Sequence, residues 1–409
     1  MKLKIAFPTE IHAHVKLPAS KSISNRMLII SELSGKKIQL SNLSDCDDTF
    51  VMRRGLDNRT PVTDIMAAGT SMRFLCAFFA ATPSETTLTG TERMKHRPIN
   101  VLVDALRSLG ADIAYTEREG FPPLHIRGQR LHGGNVSLPG NVSSQYISAL
   151  LMVAPLLDDR LTLRLTGDVV SRPYINITLS LMHRFGITVS EPDDHTFIVE
   201  PSSYTAGAYT VENDWSASSY WYEMLALAKG GEVVLDGLFE DSLQGDSCVR
   251  ELFAPLGIST SFADGRAILR KKQPAISHYE RDLTTCPDLA QTMVATCCAM
   301  GITFRFGGLQ SLRIKETDRL LALQTELAKL GYVVDEHDGN TLNWDGRRLP
   351  PLPQPAIDTY EDHRMAMCMA PCAIGRGGLI INNPQVVSKS YPAFWEDLRK
   401  AGASIEELP

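Results

Sequence analysis

The stretch LVDALRSLGADI at residues 102–113 contains the pattern that decides the fold: an amphipathic helix, a glycine and a short apolar strand. Glycine after the last periodic residue is a common helix stop, because glycine enters the left-handed backbone region at little cost. A poorer copy of this pattern precedes Gly55. Further copies end, at intervals of 71 to 76 residues counted from Gly110, at Gly186, Gly257, Gly331 and Gly402.

A second pattern alternates with the first: small polar residues open an apolar helix, and a turn and a strand follow. These openings lie at Ser22, Thr70, Ser143, Ser216, Asp288 and Asp362. The helices after them are apolar nearly all round, as in FLCAFFAA at residues 74–81, which indicates burial in a core. The alternation predicts six units of about 70 residues, each with one buried helix, one amphipathic helix and several strands.

The length and composition predict two soluble domains. A chain of 409 residues favours two domains of about 200 residues each, with the best boundary near residues 209–213. The proline-rich stretch at residues 349–355 predicts a surface loop. A net charge of −6 argues against a general nucleic-acid binder. The 8 cysteines lie mostly in apolar stretches and form no C-x-x-C motif, so we expect reduced thiols in the cytoplasm. Neither a signal peptide nor an apolar run of about 18 residues is present, and we expect no membrane span.

The helix openings favour anion binding. Helix N-termini offer unpaired N–H donors and partial positive charge, which suit phosphate or carboxylate groups; plain capping by Ser, Thr or Asp is the alternative. Cations beside helix starts oppose the helix dipole, and an anionic ligand would resolve that conflict. Solvated ion pairs are the alternative explanation. The basic residues at or near these segments are Lys21, Arg26, Arg73, Arg97, Lys315, Arg319, Arg364 and Lys389.

Three further residues are candidates for proton transfer. Asp288 opens a very apolar helix, Glu316 lies between Lys315 and Arg319, and His363 follows Asp362. Their alternatives are a helix cap, an i,i+3 surface ion pair and a structural histidine, respectively. Several chemistries find no support, because the sequence lacks a P-loop, Rossmann glycine spacing, zinc-ligand spacing and a nucleophile elbow.

Eight segments, taken in order, resemble those of 5-enolpyruvylshikimate-3-phosphate synthases over essentially the whole chain. They are SKSISNR (20–26), AGTSMR (68–73), RPI (97–99), SSQY (143–146), SRPYI (171–175), PD (287–288), KETDR (315–319) and DHRMAM (362–367). The resemblance implies an α/β fold of two lobes, an inside-out α/β barrel with three βαβαββ units per domain, closing like a clamshell. We expect an N-terminal domain at 17–210, mainly on the shikimate-3-phosphate side. Residues 1–16 plus 211–409 would form the C-terminal domain, on the acid/base and phosphoenolpyruvate side.

The resemblance also implies site residues, carried over by matching position. Those for shikimate-3-phosphate are Lys21, Ser22, Arg26, Ser143, Ser144, Gln145, Ser171, Tyr174, Asp288 and Lys315. Those for phosphoenolpyruvate are Lys21, Gly69, Arg97, Gln145, Arg319, His363, Arg364 and Lys389. The catalytic set is Asp288, Glu316, Lys21 and Lys389. No metal or organic cofactor is implied, and the expected partners are the two small-molecule substrates, without nucleic acid or membrane, on a monomeric cytoplasmic protein.

The implied reaction transfers the enolpyruvyl group of phosphoenolpyruvate to the 5-hydroxyl of shikimate-3-phosphate, by addition and elimination, with release of phosphate. Asp288 would take the hydroxyl proton, and Glu316 or Lys389 would protonate the methylene carbon. The chain departs from the usual family pattern at Ala19, Ala67, Phe74 and Ser311, and we expect these changes to affect ligand affinity more than the reaction.

Two alternatives remain at this point. One is the related transferase that acts on a UDP-amino sugar (UDP-N-acetylglucosamine), which usually carries a cysteine on a loop where residues 90–98 here have none. The other is a non-catalytic anion-binding protein, which would need the cations but not Asp288, Glu316 and His363.

Overall fold

The computed structural model describes residues 1–57 and 60–409, which divide into two compact units. The N-terminal unit is Ala19–Val211, and the C-terminal unit combines Met1–Pro18 with Glu212–Pro409. Each unit has its own cluster of buried apolar side chains. The first 18 residues therefore fold with the C-terminal half of the chain.

The two units are built from short helices and strands. The helices are α1 (Lys21–Leu33), α2 (Asp47–Asp57), α3 (Gly69–Ala81), α4 (Glu92–Lys95), α5 (Asn100–Ser108), α6 (Ser144–Val153), α7 (Arg172–Arg184), α8 (Trp215–Leu227), α9 (Val249–Phe253), α10 (Ala290–Met300), α11 (Arg319–Lys329), α12 (His363–Met369) and α13 (Phe394–Lys400). In residues 1–57 and 60–409, no helix combines the length and the apolar character that a membrane crossing requires.

The strands are mostly four to seven residues long. They are β1 (Lys2–Ala6), β2 (Glu10–Lys16), β3 (Ile38–Ser41), β4 (Val62–Asp64), β5 (Ser84–Thr89), β6 (Asp112–Tyr115), β7 (Leu124–Gly128), β8 (Gly134–Pro139), β9 (Leu161–Thr166), β10 (Val189–Asp193), β11 (Thr196–Val199), β12 (Gly207–Thr210), β13 (Gly230–Asp236), β14 (Ile258–Ala263), β15 (Arg266–Lys271), β16 (His278–Asp282), β17 (Thr303–Gly307), β18 (Asp335–His337), β19 (Thr341–Trp344), β20 (Ala356–Ile357), β21 (Leu379–Asn382) and β22 (Ser404–Leu408).

The sheets repeat one pairing scheme. Among the described residues each unit has three sheets, and five of the six sheets have four strands, with one parallel pair followed by two antiparallel pairs. In pairing order these five are β4-β5-β7-β6, β8-β9-β11-β10, β2-β13-β15-β14, β16-β17-β19-β18 and β20-β21-β1-β22. The sixth sheet, in the N-terminal unit, is the parallel pair β3-β12. The repeat is thus βαβαββ in five units, and the unit containing α1 and α2 lacks the last two strands in the part of the chain described.

The glycine pattern predicted five helix ends correctly. Gly110 follows α5 with φ 94°, and the other four glycines likewise follow α7, α9, α11 and α13 with φ between 85° and 93°. In this left-handed conformation a side chain would be strained. The four glycines after α7, α9, α11 and α13 are Gly186, Gly257, Gly331 and Gly402, respectively.

The sixth copy, at Gly55, was wrong. Gly55 lies inside α2, which continues to Asp57. A Cβ built at Gly55 would lie 2.7 Å from Leu75 Cδ1 of α3. The residue is small because α2 and α3 pack closely there, and the helix ends elsewhere.

The six polar openings each lead into a buried helix, as predicted. In α3 all thirteen residues are buried. The side chains of Ser20, Ser143, Asp214 and Asp362 accept hydrogen bonds from backbone N–H groups of the helices that they precede. Capping is therefore real at four openings. Asp288 differs, since it lies in the short 3-10 turn Pro287–Leu289 before α10.

Two strands exchange places where the chain passes between the units. β2 directly precedes α1 along the chain, yet it pairs in parallel with β13 of the C-terminal unit. β12 precedes α8, yet it pairs in parallel with β3 of the N-terminal unit. β2 is therefore a strand of the C-terminal unit although it leads into α1 of the N-terminal unit. Conversely, β12 is a strand of the N-terminal unit although it leads into α8 of the C-terminal unit.

Candidate active site

Arg319 is the centre of a buried ion-pair network in the C-terminal unit. It is the first residue of α11, and only 1% of the residue is exposed. Its Nε donates to Asp362 Oδ2 at 2.7 Å, its Nη1 to Asp288 Oδ1 at 3.2 Å and its Nη2 to Glu316 Oε2 at 3.0 Å. One guanidinium thus joins three carboxylates that come from three separate segments of the chain.

Asp288 is held by cations at both carboxylate oxygens. Arg364 Nη2 donates to Oδ2 at 2.8 Å, while Lys315 Nζ lies 3.7 Å from Oδ1, the oxygen that Arg319 also contacts. Arg364 in turn is oriented by Tyr220, whose hydroxyl lies 3.4 Å from its Nη1. Asp288 lies in the 3-10 turn Pro287–Leu289 and is not itself the N-cap residue of that turn or of α10, which are Cys286 and Leu289.

Glu316 is held in the same way by two cations. Its Oε2 accepts from Arg319, and its Oε1 lies 2.8 Å from Lys389 Nζ. The Glu316–Arg319 pair has i,i+3 spacing, but the Arg319 side chain is 2% exposed and the Glu316 side chain 14% exposed. The pair is therefore largely buried, and the alternative explanation of Glu316 as part of a surface ion pair does not apply. Glu316 precedes α11, and its position is set by these contacts instead of by a helix.

Two acidic residues in this region were missed as site candidates. Asp362 is fully buried, caps α12 through the N–H of Arg364 at 2.9 Å and binds Arg319. Asp246 accepts a hydrogen bond from Ser216 at the start of α8 and interacts electrostatically with both Asp288 and Arg364. The capping role of Asp362 was visible in the sequence, but its partner 43 residues away was not.

His363 is buried at the first position of α12. Its Nδ1 lies 3.8 Å from Asp362 Oδ1, beyond hydrogen-bond length but close enough for a charge interaction when the ring is protonated. His363 thus lies between two residues of the ion-pair network, Asp362 and Arg364.

The pKa values of Arg319 and Lys315 are shifted in opposite directions. Burial alone lowers the pKa of Arg319, but Asp362, Glu316 and Asp288 more than offset this, and the net pKa lies above the ordinary value. Desolvation lowers the pKa of Lys315, with Asp288 opposing the shift. Burial, helped by Asp288, raises the pKa of Asp246 to about 6. Burial and neighbouring charges together therefore shift the proton affinities in this cluster, as is common at functional sites.

In the N-terminal unit, Arg26 is buried among neutral partners. Its Nε donates to Thr178 Oγ1 at 2.6 Å, and its Nη2 donates to Ser148 Oγ at 3.1 Å and to the Tyr174 carbonyl at 3.0 Å. Its Nη1 donates to the Ser22 carbonyl at 2.9 Å. Desolvation lowers the pKa of Arg26 to about 10. Three of the predicted shikimate-3-phosphate residues, Ser22, Arg26 and Tyr174, are thus brought together.

Two predicted phosphoenolpyruvate residues, Gly69 and Arg97, lie directly against each other. A Cβ built at Gly69 would lie 2.7 Å from Arg97 Nη1. Arg73 fixes this arrangement, since its Nη1 donates to the Gly69 carbonyl at 3.1 Å and its Nη2 to the Pro98 carbonyl at 3.2 Å. Tyr146 also donates to the Pro98 carbonyl, at 2.6 Å. Arg73 was noted as a cation, but neither it nor Tyr146 was predicted as a site residue.

The remaining predicted residues of this unit lie at helix starts. Gln145 Nε2 donates to Thr70 Oγ1 at 3.0 Å and so connects the starts of α6 and α3; Ser143 caps α6. Lys21, the first residue of α1, lies 3.3 Å from Asp48 Oδ2. Ser144 is the first residue of α6 and buried, and Ser171 precedes α7 in the left-handed conformation, with φ 57°.

One departure from the family pattern has a structural consequence. Phe74 is fully buried, and the guanidinium carbon of Arg26 lies 5.3 Å from the centre of its ring. This distance is in the range of a cation–π contact. Phe74 therefore contributes to the environment of a predicted substrate residue.

Metal binding has no obvious donor set in the described chain. Residues 1–57 and 60–409 contain no group of three or more His, Cys, Asp or Glu side chains arranged to hold a metal ion. All eight cysteines are free thiols, and seven of them are buried.

Comparisons with known proteins agree on one family. A family model described as EPSP synthase (3-phosphoshikimate 1-carboxyvinyltransferase) matches residues 54–398. A protein of Bacteroides fragilis named 3-phosphoshikimate 1-carboxyvinyltransferase is 53% identical over 406 residues, covering 99% of each chain. One of the same name from Shewanella halifaxensis is 38% identical, covering 94% of this chain and 96% of that protein. The solved structure of EPSP synthase from Acinetobacter baumannii matches 100% of both chains with a TM-score of 0.78 at 18% identity. This likeness confirms the predicted fold class.

Proposed function

The chain belongs to the EPSP synthase family, and on that premise we propose that it carries out its transfer at the network around Arg319. The reaction moves the enolpyruvyl group of phosphoenolpyruvate to the 5-hydroxyl of shikimate-3-phosphate and releases phosphate. Membership confirms the activity expected from the sequence. The named relatives do not favour transfer to a UDP-amino sugar or a purely anion-binding role.

The observation that carries the site assignment is the shared guanidinium. Asp288 and Glu316 each contact Arg319 through one oxygen and a second cation through the other, Arg364 for Asp288 and Lys389 for Glu316. Two carboxylates are thus held in fixed orientation, so that Asp288 can accept a proton and Glu316, next to Lys389, can take part in delivering one.

In this proposal Asp288 accepts the proton of the 5-hydroxyl as that oxygen attacks the enol carbon of phosphoenolpyruvate. Glu316 or Lys389 gives a proton to the methylene carbon in the same addition step. Their 2.8 Å contact allows either group to replenish the other. Elimination then breaks the carbon–oxygen bond to phosphate, and the methyl group formed by addition loses a proton to restore the double bond.

Basic side chains would bind the anionic groups of the substrates. Arg364 and Arg319 would neutralise the carboxylate and phosphate of phosphoenolpyruvate, together with Lys21 and Arg97. The carboxylates around Arg319 support a further role for it in orienting Asp288 and Glu316. The set on the N-terminal unit would hold shikimate-3-phosphate.

The surroundings of Arg26 support an anion on the N-terminal unit. Its partners in the described chain are hydroxyls and carbonyls, so its positive charge is not balanced by an adjacent carboxylate.

A cytoplasmic location and a monomeric state remain part of the proposal. The free thiols and the bacterial biosynthetic relatives support the cytoplasmic location.

Phosphate release tests the proposed function directly. The purified chain is mixed with phosphoenolpyruvate and shikimate-3-phosphate, together and singly, and free phosphate is measured. We expect release only when both are present. Release with UDP-N-acetylglucosamine in place of shikimate-3-phosphate would assign the other transferase, and binding of either anion without any release would assign a non-catalytic role.

A further inference from the structure

The turn that leads into α12 is strained at two consecutive residues. Tyr360 and Glu361 both have a left-handed backbone, with φ of 54° and 56°. Non-glycine residues adopt this conformation rarely, and it persists only where the surrounding structure holds it. The turn comes immediately before Asp362, His363 and Arg364, so its path decides where these side chains point.

A buried glutamate of α11 holds this turn. Glu326 is fully buried; its Oε2 accepts from the Asp358 N–H at 3.0 Å, and its Oε1 accepts from the Tyr360 hydroxyl at 2.5 Å. Lys329, one turn further along α11, lies 2.8 Å from both Glu326 Oε2 and Asp358 Oδ2. It also donates to the Ala356 carbonyl at 2.9 Å. The segment ahead of the strained residues is therefore fixed to one helix by charge-assisted contacts.

The same helix holds the other end of the turn. Arg319 begins α11 and binds Asp362, and Glu326 follows seven residues later, two helical turns along the same face. Asp362 accepts from the Arg364 N–H at 2.9 Å, and Arg364 reaches Asp288 at 2.8 Å. Contacts from one helix at both ends leave the turn between them little freedom, which accounts for the strain at Tyr360 and Glu361.

We propose that Glu326, acting through the Tyr360 hydroxyl, is a positioning residue for Arg364 in the binding of phosphoenolpyruvate. Neither Glu326 nor Tyr360 belongs to the site residues assigned above, and neither contacts the reacting groups in this proposal. The inference rests on the proposed function, because it presumes that Arg364 binds phosphoenolpyruvate.

Tyr360→Phe tests this by removing a single hydroxyl. We expect the KM for phosphoenolpyruvate to rise about 5- to 10-fold, as for the loss of one hydrogen bond to a charged group that is only partly transmitted. The kcat and the KM for shikimate-3-phosphate should change less than about 2-fold, which is within ordinary scatter for an effect of a few tenths of a kcal/mol. Tyr279→Phe is the matched control, since it removes a hydroxyl that donates to the Leu252 carbonyl at 3.1 Å elsewhere in the same unit.

Two outcomes would overturn the inference. One is a Tyr360→Phe enzyme with the kinetics of Tyr279→Phe, and the other is a fall in kcat with both KM values raised alike, which indicates general loss of structure. Wild-type phosphate release is measured first, so failure of the proposed function would be seen before any variant is compared.

A second arm asks whether the strained turn transmits the effect. Asparagine tolerates the left-handed conformation far better than glutamate, whereas glutamine does not. In the Tyr360→Phe background, Glu361→Asn should recover at least half of the loss in affinity for phosphoenolpyruvate, while Glu361→Gln, which removes the same charge, should recover none. Equal recovery by both would attribute the effect to charge and overturn the positioning role.

Discussion

Two buried arginines, Arg26 in the N-terminal unit and Arg319 in the C-terminal unit, show how the units differ. Both are at most 3% exposed, and both make four hydrogen bonds through their guanidinium groups. Arg26 has hydroxyl and carbonyl partners, and its pKa is lowered to about 10; Arg319 has three carboxylate partners, and its pKa is raised. Burial penalises both charges, and only Arg319 has neighbouring anions that offset the penalty.

The difference suggests a division of labour. A buried cation with neutral partners keeps a net charge that an anionic ligand can balance, which fits a binding role for Arg26. A cation that contacts three carboxylates fixes them in place, which fits the positioning of Asp288 and Glu316 by Arg319 in addition to its proposed contact with phosphoenolpyruvate. The following variants test that division, from the largest expected effect to the smallest.

Asp288→Asn should separate chemistry from binding most strongly. The amide keeps the size of the side chain but cannot accept a proton, so kcat should fall about 10²- to 10⁴-fold with modest changes in both KM values. The measurement is steady-state phosphate release. Asp282→Asn is the matched control, because Asp282 is an exposed carboxylate of the same unit that accepts from the Thr284 N–H.

Glu316→Gln tests which of the two carboxylates, Asp288 or Glu316, acts as the base. If Asp288→Asn kept nearly full kcat while Glu316→Gln lost it, the base would be Glu316. The C-terminal unit would then still carry the chemistry, but with the roles of its two carboxylates exchanged.

Arg319→Met and Arg26→Met compare the two arginines directly. Removing Arg319 leaves Asp362, Glu316 and Asp288 without their common cation, so we expect a loss of about 3–5 kcal/mol in the free energy of unfolding. Removing Arg26 leaves only neutral groups, with an expected loss of about 1–3 kcal/mol. Urea denaturation monitored by fluorescence measures both. An equal or larger loss for Arg26→Met would contradict the distinction drawn here.

Arg364→Ala should mainly weaken the binding of phosphoenolpyruvate. A charge-assisted contact contributes about 1.5–3 kcal/mol, so the KM for phosphoenolpyruvate should rise about 10- to 150-fold, with a smaller effect on shikimate-3-phosphate. Kinetics with each substrate varied in turn provide the measurement. A rise confined to the KM for shikimate-3-phosphate would show that Arg364 binds that substrate instead, and would contradict this assignment.

Glu223→Gln should change how stability depends on pH. Glu223 lies fully buried in α8, and desolvation raises its pKa well above the ordinary value. The folded state therefore binds a proton that the unfolded state releases, so wild-type stability should fall as pH rises above the unfolded pKa, by up to about 1.4 kcal/mol per pH unit. The variant should lack this fall, and its stability relative to wild type should increase between about pH 5 and 8.

Asn25→Leu is the counterpart of that change in the N-terminal unit. Asn25 is also fully buried, and its side-chain amide has no hydrogen-bond partner among the described residues, but it carries no titratable group. Its substitution should shift stability by the same amount at every pH. A relative stability of Glu223→Gln that stayed constant with pH would mean that Glu223 is not protonated in the folded state.

Much of the fold was predictable because it depends on local rules. Glycine in the left-handed region ends five helices whatever lies around them, and apolar residues on every side of a helix indicate burial. Gly55 failed because its reason is non-local: the α3 side chain of Leu75 leaves no room for a Cβ. Local periodicity gave no sign of the exchange of β2 and β12, since strand pairing between distant segments leaves no trace in it; only the family resemblance implied that residues 1–16 join the C-terminal domain.

The site residues also fall into those that sequence motifs predicted and those that only the structure showed. Asp288, Glu316 and Arg364 stood out through their motifs, but Asp362 was taken only as a helix opening, and Asp246 and Tyr220 were not singled out. The contacts that define their roles are with partners 30 to 144 residues away. The strain at Tyr360 could not be predicted either, because these residue types give no local signal for a left-handed backbone.

The placement of β2 has a consequence for synthesis on the ribosome. β2 is complete at residue 16, but its neighbour β13 begins only at residue 230. At about 5–20 residues per second, the strand waits roughly 10–40 s for that partner. The N-terminal unit, whose last strand ends at Thr210, can form its sheets during this interval, while β2 still lacks its partner strand. The order in which the strands emerge therefore sets how long β2 stays without its partner strand.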